Sequence, residues 1–348
     1  MDWWMQPSDP RWWGLLFASF VVSAFVTWLS IRYAQKRNLL DLPGQRRSHS
    51  EPTPRGGGIG IVIAAAVFFA IPLFAVYAGP AGAAAAILFG LITVAAVGWW
   101  DDHFGLAAIA RLAAHAMASL VLAISLVGHD GAAVVALFAL AATWSINLHN
   151  FMDGINGLLG MQALFVFCLL GLLGHHYAQP TYTFAMWALA AATLGFLPFN
   201  FPHARVFMGD VGSGALGFLI AAAIGIGLDF GLLVPSEALI LVSAFVIDAS
   251  CTLISRMLRG RRWYSAHREH LYQWLARGNS NHAQVVALYA AWNGLLVTPA
   301  LLIFEFVDGY ETAIIVSVYV LGIGAWLVGK RYCLQCTKVR KRLCDHVT

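Results

Sequence analysis

The chain has 348 residues, 60% of them hydrophobic and only 11% charged, with a mean hydropathy of +0.72. Soluble domains carry about 25% charged residues, so this balance excludes an ordinary soluble enzyme and leaves an integral membrane protein with little room for a separate soluble domain. The formal net charge of +4 is small, and the positions of the cations say more than their sum.

A membrane-spanning helix needs about 20 apolar residues, with some tolerance. Runs of this kind lie at Gly14–Tyr33, Ile59–Tyr77, Ala83–Trp100, Ala107–Val127, Ala132–Ile146 and Leu158–Leu173. Further runs lie at Phe184–Phe199, Ala215–Leu228, Leu239–Ile254, Ala283–Ile303 and Ala313–Val328. They predict an all-α polytopic membrane protein of about eleven transmembrane helices, or ten if one pair is misread. Residues 1–348 are expected to form a single membrane-embedded domain, with 330–348 as a basic cytoplasmic tail. With eleven alternating spans, all of the 21 Lys and Arg except Arg11 fall on one side, and the opposite loops carry Asp130, Asp229, Glu305, Asp308 and Glu311. The positive-inside rule makes the basic side cytoplasmic, with the N-terminus outside and the C-terminus inside. Asp2 and Asp9 stand where a signal peptide would carry basic residues, so the first span is expected to be retained. Trp12, Trp13, Trp99 and Trp100, near run ends, read as headgroup-zone anchors.

Five polar clusters fall on the predicted cytoplasmic face, none on the other. The first runs from Asp41 through Arg46, Arg47 and His49 to Arg55 and Gly56-Gly57-Gly58; three glycines opening a helix offer backbone N–H groups to an anion, or form a flexible turn. The second is Asp101-Asp102 at a span end, a pair that binds a metal, accepts a proton or merely caps, with Arg111 on the next helix as a potential partner. The third is Asn147-Leu148-His149-Asn150-Phe151-Met152-Asp153-Gly154-Ile155-Asn156-Gly157. Asn147, Asn150 and Asp153 recur every third residue and are expected to project to a common point; polar groups at a membrane edge need partners, and a capped helix break is the plainer alternative. The fourth is Asn200-Phe201-Pro202-His203 with Phe207-Met208-Gly209-Asp210-Val211-Gly212-Ser213-Gly214, where Asp210 stands beside a helix start suited to Mg²⁺ and phosphate together, or is a simple N-cap. The fifth runs from Arg256 to His267-Arg268-Glu269-His270-Leu271-Tyr272-Gln273. Its Arg268 suits bidentate phosphate contact and its His270 a proton or phosphate, while Arg259, Arg261 and Arg262 read as facing anionic lipid.

Acidic and amide clusters with an Arg/His cluster at one membrane face suit phosphoryl transfer from a highly charged donor to a lipid. In this order and spacing the clusters resemble the polyprenyl-phosphate N-acetylhexosamine-1-phosphate transferases over about residues 41–273, through Asp-Asp, Asn-x-x-Asn-x-x-Asp-Gly and Phe-Met-Gly-Asp-x-Gly-Ser. Pro-Thr-Pro-Arg-Gly-Gly-Gly and the His-Arg-x-His-x-Tyr-Gln ending look most like the bacterial branch that starts O-antigen or related surface glycans. The resemblance implies a multi-pass protein of the bacterial inner membrane. It would move a sugar 1-phosphate from a UDP-N-acetylhexosamine-type donor to undecaprenyl phosphate, with Mg²⁺ (Mn²⁺ substituting) and release of UMP. It implies that Asp101 and Asp102 handle the polyprenyl phosphate, one of them assisting its deprotonation, that Asn150 and Asp210 bind metal, and that Asp153 is an acidic residue needed for catalysis. Arg268 and His270 would contact the donor pyrophosphate, with His267, Asn147, Gly57, Arg55 and His49 among the substrate-binding positions. Asn156 stands where most bacterial members have Asp, near the uracil, which an amide can still pair.

Membrane lipid is an expected partner, nucleic acid is not, and homodimerisation stays open. UDP-GlcNAc, UDP-GalNAc and a 6-deoxy amino sugar all fit as donors. The alternative of another class is a transporter of anionic nucleotides or sugar phosphates, which would carry mid-membrane ionisable groups and an internal repeat; no repeat is found and the acids sit at span ends. The cysteines do not suggest disulfides. Cys333, Cys336, Cys344 and His346 are a weak zinc pattern, and a basic tail that is unstructured or lies on the lipid surface is the expected state of 330–348.

Overall fold

The computed structural model describes residues 7–41, 52–70, 82–261, 267–278, 281–307 and 309–345. His49, Arg46, Arg47, Arg262 and His346 lie outside these residues. The chain divides into two compact units, Met1–Pro43 with Glu51–Val234, and Gly44–Ser50 with Pro235–Thr348.

The first unit opens with α1 (Pro10–Arg37). Asp9 caps it by accepting the Arg11 N–H at 2.9 Å, and Asn38, with φ 55°, ends it in the left-handed conformation. A two-residue strand pair follows, β1 (Leu40–Asp41) antiparallel to β2 (Thr53–Pro54), with Asp41 opposite Thr53. Next come α2 (Ile59–Ala65), prolonged by one π-helical turn to Ala70, then α3 (Ala83–Phe104), α4 (Ala108–Val127), α5 (Ala132–Phe151), α6 (Leu158–His176), α7 (Pro180–Asn200) and α8 (Asp210–Asp229).

Helix α8 is the centre of this unit: every residue from Val211 to Ala223 is buried. Its small residues make that possible. A Cβ on Gly217 would lie 2.7 Å from the Ile146 Cα, and at this close approach the Ser145 hydroxyl donates to the Gly217 carbonyl at 2.8 Å. Small residues and interhelical hydrogen bonds hold helices together where lipid removes the hydrophobic drive between them. The outer faces are the reverse of a soluble protein's, with Phe17 67%, Ile109 73% and Leu137 70% exposed, which suits acyl chains and not water. Trp12 is a correction to the anchor reading. It is fully buried with Leu16, Phe184 and Ala188, edge-on to Phe184, while Trp13, Trp99 and Trp100 remain exposed.

The second unit contains α9 (Pro235–Leu241) and α10 (Ser243–Leu258), which meet at a 79° bend, then α11 (Leu271–Gly278) and α12 (His282–Trp292). A π-helical turn at Asn293–Val297 leads into α13 (Thr298–Phe306), and α14 (Glu311–Asp345) ends the described chain. Among the described residues nine helices are long and apolar enough to cross a membrane, or ten if the bent pair is one span. The predicted Leu239–Ile254 run is that bent pair, and the Ile59–Tyr77 run is described only as far as Ala70. Of the two states expected for the tail, the unstructured one is corrected. Residues 330–345 continue α14 as helix, because no Gly or Pro interrupts a stretch rich in Lys, Arg and Leu.

Candidate active site

The first unit gathers its acids where α3 and α5 end and α8 begins. The opening amides of α8 have no partner within their own helix, and Gly209, which precedes them, has no side chain to offer. Asp102, at the end of α3, supplies the acceptor. Its Oδ1 takes the Asp210 N–H at 3.0 Å and its Oδ2 takes the Val211 N–H at 3.1 Å. Gly98 lets the two helices come this close, since a Cβ there would lie 2.4 Å from the Asp210 carbonyl oxygen. Asp101 accepts from the Leu106 N–H and from the guanidinium of Arg111, as the spacing predicts for Arg111. The same guanidinium reaches Asp210 Oδ2 at 3.3 Å. Asn150, in the last turn of α5, donates to Asp210 Oδ1 at 2.7 Å and to the Ser213 hydroxyl at 2.9 Å. Asp210 is thus held from two helices.

Asp153 follows the end of α5. Burial first, and then the charges of Asp210 and Asp102, push its pKa well above the ordinary carboxylate range. Asn150 and Asp153 therefore share the neighbourhood of Asp210. The amide of Asn147 does not join them: it donates back to the Thr143 carbonyl at 2.7 Å, one turn earlier on its own helix. Asn156 donates to the Pro202 carbonyl at 3.1 Å, and Asn200 clamps the same loop by accepting the Gly157 N–H at 2.7 Å and donating to the Val206 carbonyl at 3.0 Å.

The glycine cluster corrects the anion reading. The Gly57 and Gly58 amides donate to the carbonyls of Phe207 and Met208, each at 2.9 Å, so they are already committed. What glycine provides there is proximity, because a Cβ on Gly58 would lie 2.4 Å from the Gly212 Cα. Arg55 donates to Asp41 at 2.8 Å. With Tyr33, Trp99, Asp102 and His103 it lines a cavity of about 370 Å³ beside α1.

In the second unit Glu269 accepts from Arg256 and, at 2.9 Å, from Arg261, so Arg261 has a protein partner where sequence suggested lipid. The Glu269 carbonyl accepts from Lys330 at 2.8 Å. The rings of His267 and His270 lie 5.0 Å apart, and His270 stacks on Tyr272. Burial, then the neighbouring His270, brings His267 down to about 4, and burial lowers His270 as well. Both rings are therefore neutral at pH 7, each with one N–H and one lone pair. Sequence reasoning passed over Ser213, hidden in a Gly-rich helix start, and Asp248, whose only signal is a lone acid in an apolar run.

No group of three or more His, Cys, Asp or Glu side chains arranged to hold a metal occurs among the described residues. Mg²⁺ does not require one, since it typically takes one or two carboxylates and fills its remaining positions with water and phosphate oxygens. Asp210 and Asp153 are such a pair: Asp153 is buried, and the charges of Asp210 and Asp102 add to the rise of its pKa that burial causes, a crowding of carboxylates that a divalent cation would relieve. The donor set fits.

The family described as glycosyl transferase family 4 matches residues 84–227, from the start of α3 nearly to the end of α8. The decaprenyl-phosphate N-acetylglucosaminephosphotransferase of Mycobacterium tuberculosis is 32% identical over 318 residues, 79% of this chain and 78% of that protein. This chain belongs to glycosyl transferase family 4. Other family members include the undecaprenyl-phosphate alpha-N-acetylglucosaminyl 1-phosphate transferase of Escherichia coli, 25% identical over 306 residues, 81% of each chain. The enzyme of that name from Thermotoga maritima is 29% identical over 215 residues, 58% of this chain and 62% of its own. The expected polyprenyl-phosphate transferase family is borne out, and the matched stretch carries Asp101, Asp102, Arg111, Asn150, Asp153 and Asp210.

Proposed function

We propose that this chain transfers N-acetylglucosamine 1-phosphate from UDP-N-acetylglucosamine to a polyprenyl phosphate at the cytoplasmic face of the bacterial inner membrane, the first membrane step of a cell-envelope glycan such as O-antigen. An acceptor phosphate oxygen bonds to the sugar-bearing phosphorus of the donor. The bond from that phosphorus to UMP breaks, and lipid-linked sugar pyrophosphate and UMP result. The observation that carries the reading is the Asp101–Arg111–Asp210–Asn150 network inside the family-matched stretch. The names of the relatives support the acceptor class and the sugar.

The residues divide the work. Arg111 has more donors than its two carboxylate partners use, so it can take an acceptor phosphate while still holding Asp101 and Asp210. Asp102 spends its oxygens on α8 and shapes the site. Asp153, buried beside the charges of Asp210 and Asp102, has a raised pKa and so a strong pull on a proton or a cation. Arg268 and His270 take the donor pyrophosphate. Mg²⁺, or Mn²⁺ in its place, bound at Asp210, Asp153 and Asn150 supplies neutralisation of phosphate charge.

Purified protein incubated with Mg²⁺, undecaprenyl or decaprenyl phosphate and a panel of UDP-sugars tests this reading. UMP should appear in step with lipid-linked sugar pyrophosphate, and only when lipid and metal are both present. Passage of unmodified sugar nucleotide across vesicles without UMP release would instead establish a transporter.

A further inference from the structure

Asp248 lies on α10 just past the bend, within an apolar run, and is 2% exposed. A carboxylate at such depth persists only with strong partners. It has five. Oδ1 accepts the Leu271 N–H at 2.7 Å, the Trp326 indole N–H at 3.2 Å and the Thr252 hydroxyl at 3.2 Å. Oδ2 accepts the Tyr272 N–H at 3.2 Å and the Tyr289 hydroxyl at 2.7 Å.

Three of these donors are side chains of α10, α12 and α14, as expected of a packing device. The other two are the first two amides of α11, the helix that starts immediately after His270. Asp248 therefore does for α11 what an N-cap side chain does locally, but from a different helix. The segment before α11 is gripped separately: the Glu269 side chain is held by Arg256 and Arg261, and its carbonyl by Lys330. The anchored groups alternate with Arg268 and His270. Fixing a backbone that presents a guanidinium and an imidazole in advance removes an ordering cost that would otherwise be met at each binding event.

We infer that Asp248 is a positioning residue for the transfer reaction. Through the Leu271 and Tyr272 amides it fixes the backbone bearing Arg268 and His270, so that both meet the donor pyrophosphate in one orientation. The inference rests on the reading of Arg268 and His270 as donor-binding residues.

The test compares Asp248→Asn with Tyr289→Phe in the full-length protein. Asn keeps the size but presents an NH₂ where an acceptor is required, so an α11 amide loses its bond. In hydrogen–deuterium exchange the 271–272 amides should exchange at least about tenfold faster, and the donor KM should rise about tenfold or more, with the polyprenyl phosphate KM within about twofold. Tyr289→Phe removes a side-chain donor and leaves both amides paired. It should lower the melting temperature while keeping the donor KM within about twofold of wild type. If Asp248→Asn does not fold, Leu271→Pro deletes one of the two amides at a helix position where Pro is tolerated, and the same rise in donor KM is expected. Unchanged exchange at 271–272, an unchanged donor KM, or an equal rise in Tyr289→Phe overturns the inference. A wild-type protein that releases no UMP overturns the donor reading and the catalytic half of this inference with it. The exchange measurement decides the anchoring half by itself.

Discussion

Asp102 and Asp210 are adjacent carboxylates with different duties, and substitution should separate them. Asp102→Ala strips the acceptor from two opening amides of α8. Each unsatisfied buried amide costs about 1–3 kcal/mol, so both turnover and melting temperature should fall, and Asp102→Asn should recover part of the melting temperature. An unchanged melt in Asp102→Ala would remove the capping role. Asp210→Asn keeps the Asn150 hydrogen-bond geometry within reach but loses a charge from the proposed metal site. UMP release should drop by roughly a hundredfold or more with little change in melting temperature; turnover near wild type would rule Asp210 out as a ligand. Asp153 sets a pH dependence of known sign. Its folded-state pKa is raised, so the folded state binds the extra proton, and this contribution is complete below the ordinary Asp range and lost as pH rises through the folded value. His267 runs the other way, because a depressed histidine pKa lets stability grow as pH rises from about 4 to 6.5. The wild-type melting curve minus that of Asp153→Asn isolates the first effect: the difference should turn against the wild type as pH rises, and Mg²⁺ should shrink it. A pH-independent difference would show that Asp153 is not perturbed.

The elements were the easiest part to read and the tail the hardest. Apolar runs mark α1, α3 to α8 and α14 because lipid demands length and hydropathy of any span. The bend between α9 and α10 carries no Pro or Gly at Val242, so hydropathy shows an unbroken run there. The tail is a helix since charged long-chain residues propagate one as readily as apolar ones do. This changes where it can be cut. Lys330 binds the Glu269 carbonyl at 2.8 Å and Cys333 is buried, so truncation at 330 would expose the Glu269 anchor. Truncation after Cys336 spares both. That shorter protein should keep its UDP-sugar turnover within about twofold and lose no zinc, because the ligand spacing beyond Cys336 is irregular and Lys338–Arg342 is a basic run suited to anionic lipid. A loss of turnover in a truncated protein that still inserts and melts normally would assign the tail a role in catalysis.

Across the whole molecule, what was legible is what acts over short sequence distance. Asp101-Asp102, Asn150 with Asp153, and Asp210 each announce themselves within a few residues. Their assembly does not: the Asp102–Asp210 and Asn150–Ser213 bonds join residues far apart in the chain, and the commitment of the Gly57 and Gly58 amides to Phe207 and Met208 is invisible until those segments meet. Sidedness is a global property that the cation pattern does predict. All of the basic residues except Arg11 fall on one face only if the spans alternate as read, so the loop before α5 and the loop before α8 must lie on opposite sides. Asp130 and Arg205 are exposed in those two loops. In a background with the native cysteines replaced, Asp130→Cys should react with a membrane-impermeant maleimide in intact spheroplasts. Arg205→Cys should react only in inverted vesicles or after permeabilisation. Reaction of both from the same side would break the alternation between α5 and α8. Reaction with the sides exchanged would keep the alternation but place Asp101, Asn150 and Asp210 at the outer face, away from cytoplasmic UDP-sugar, and the proposed reaction could not run in that orientation.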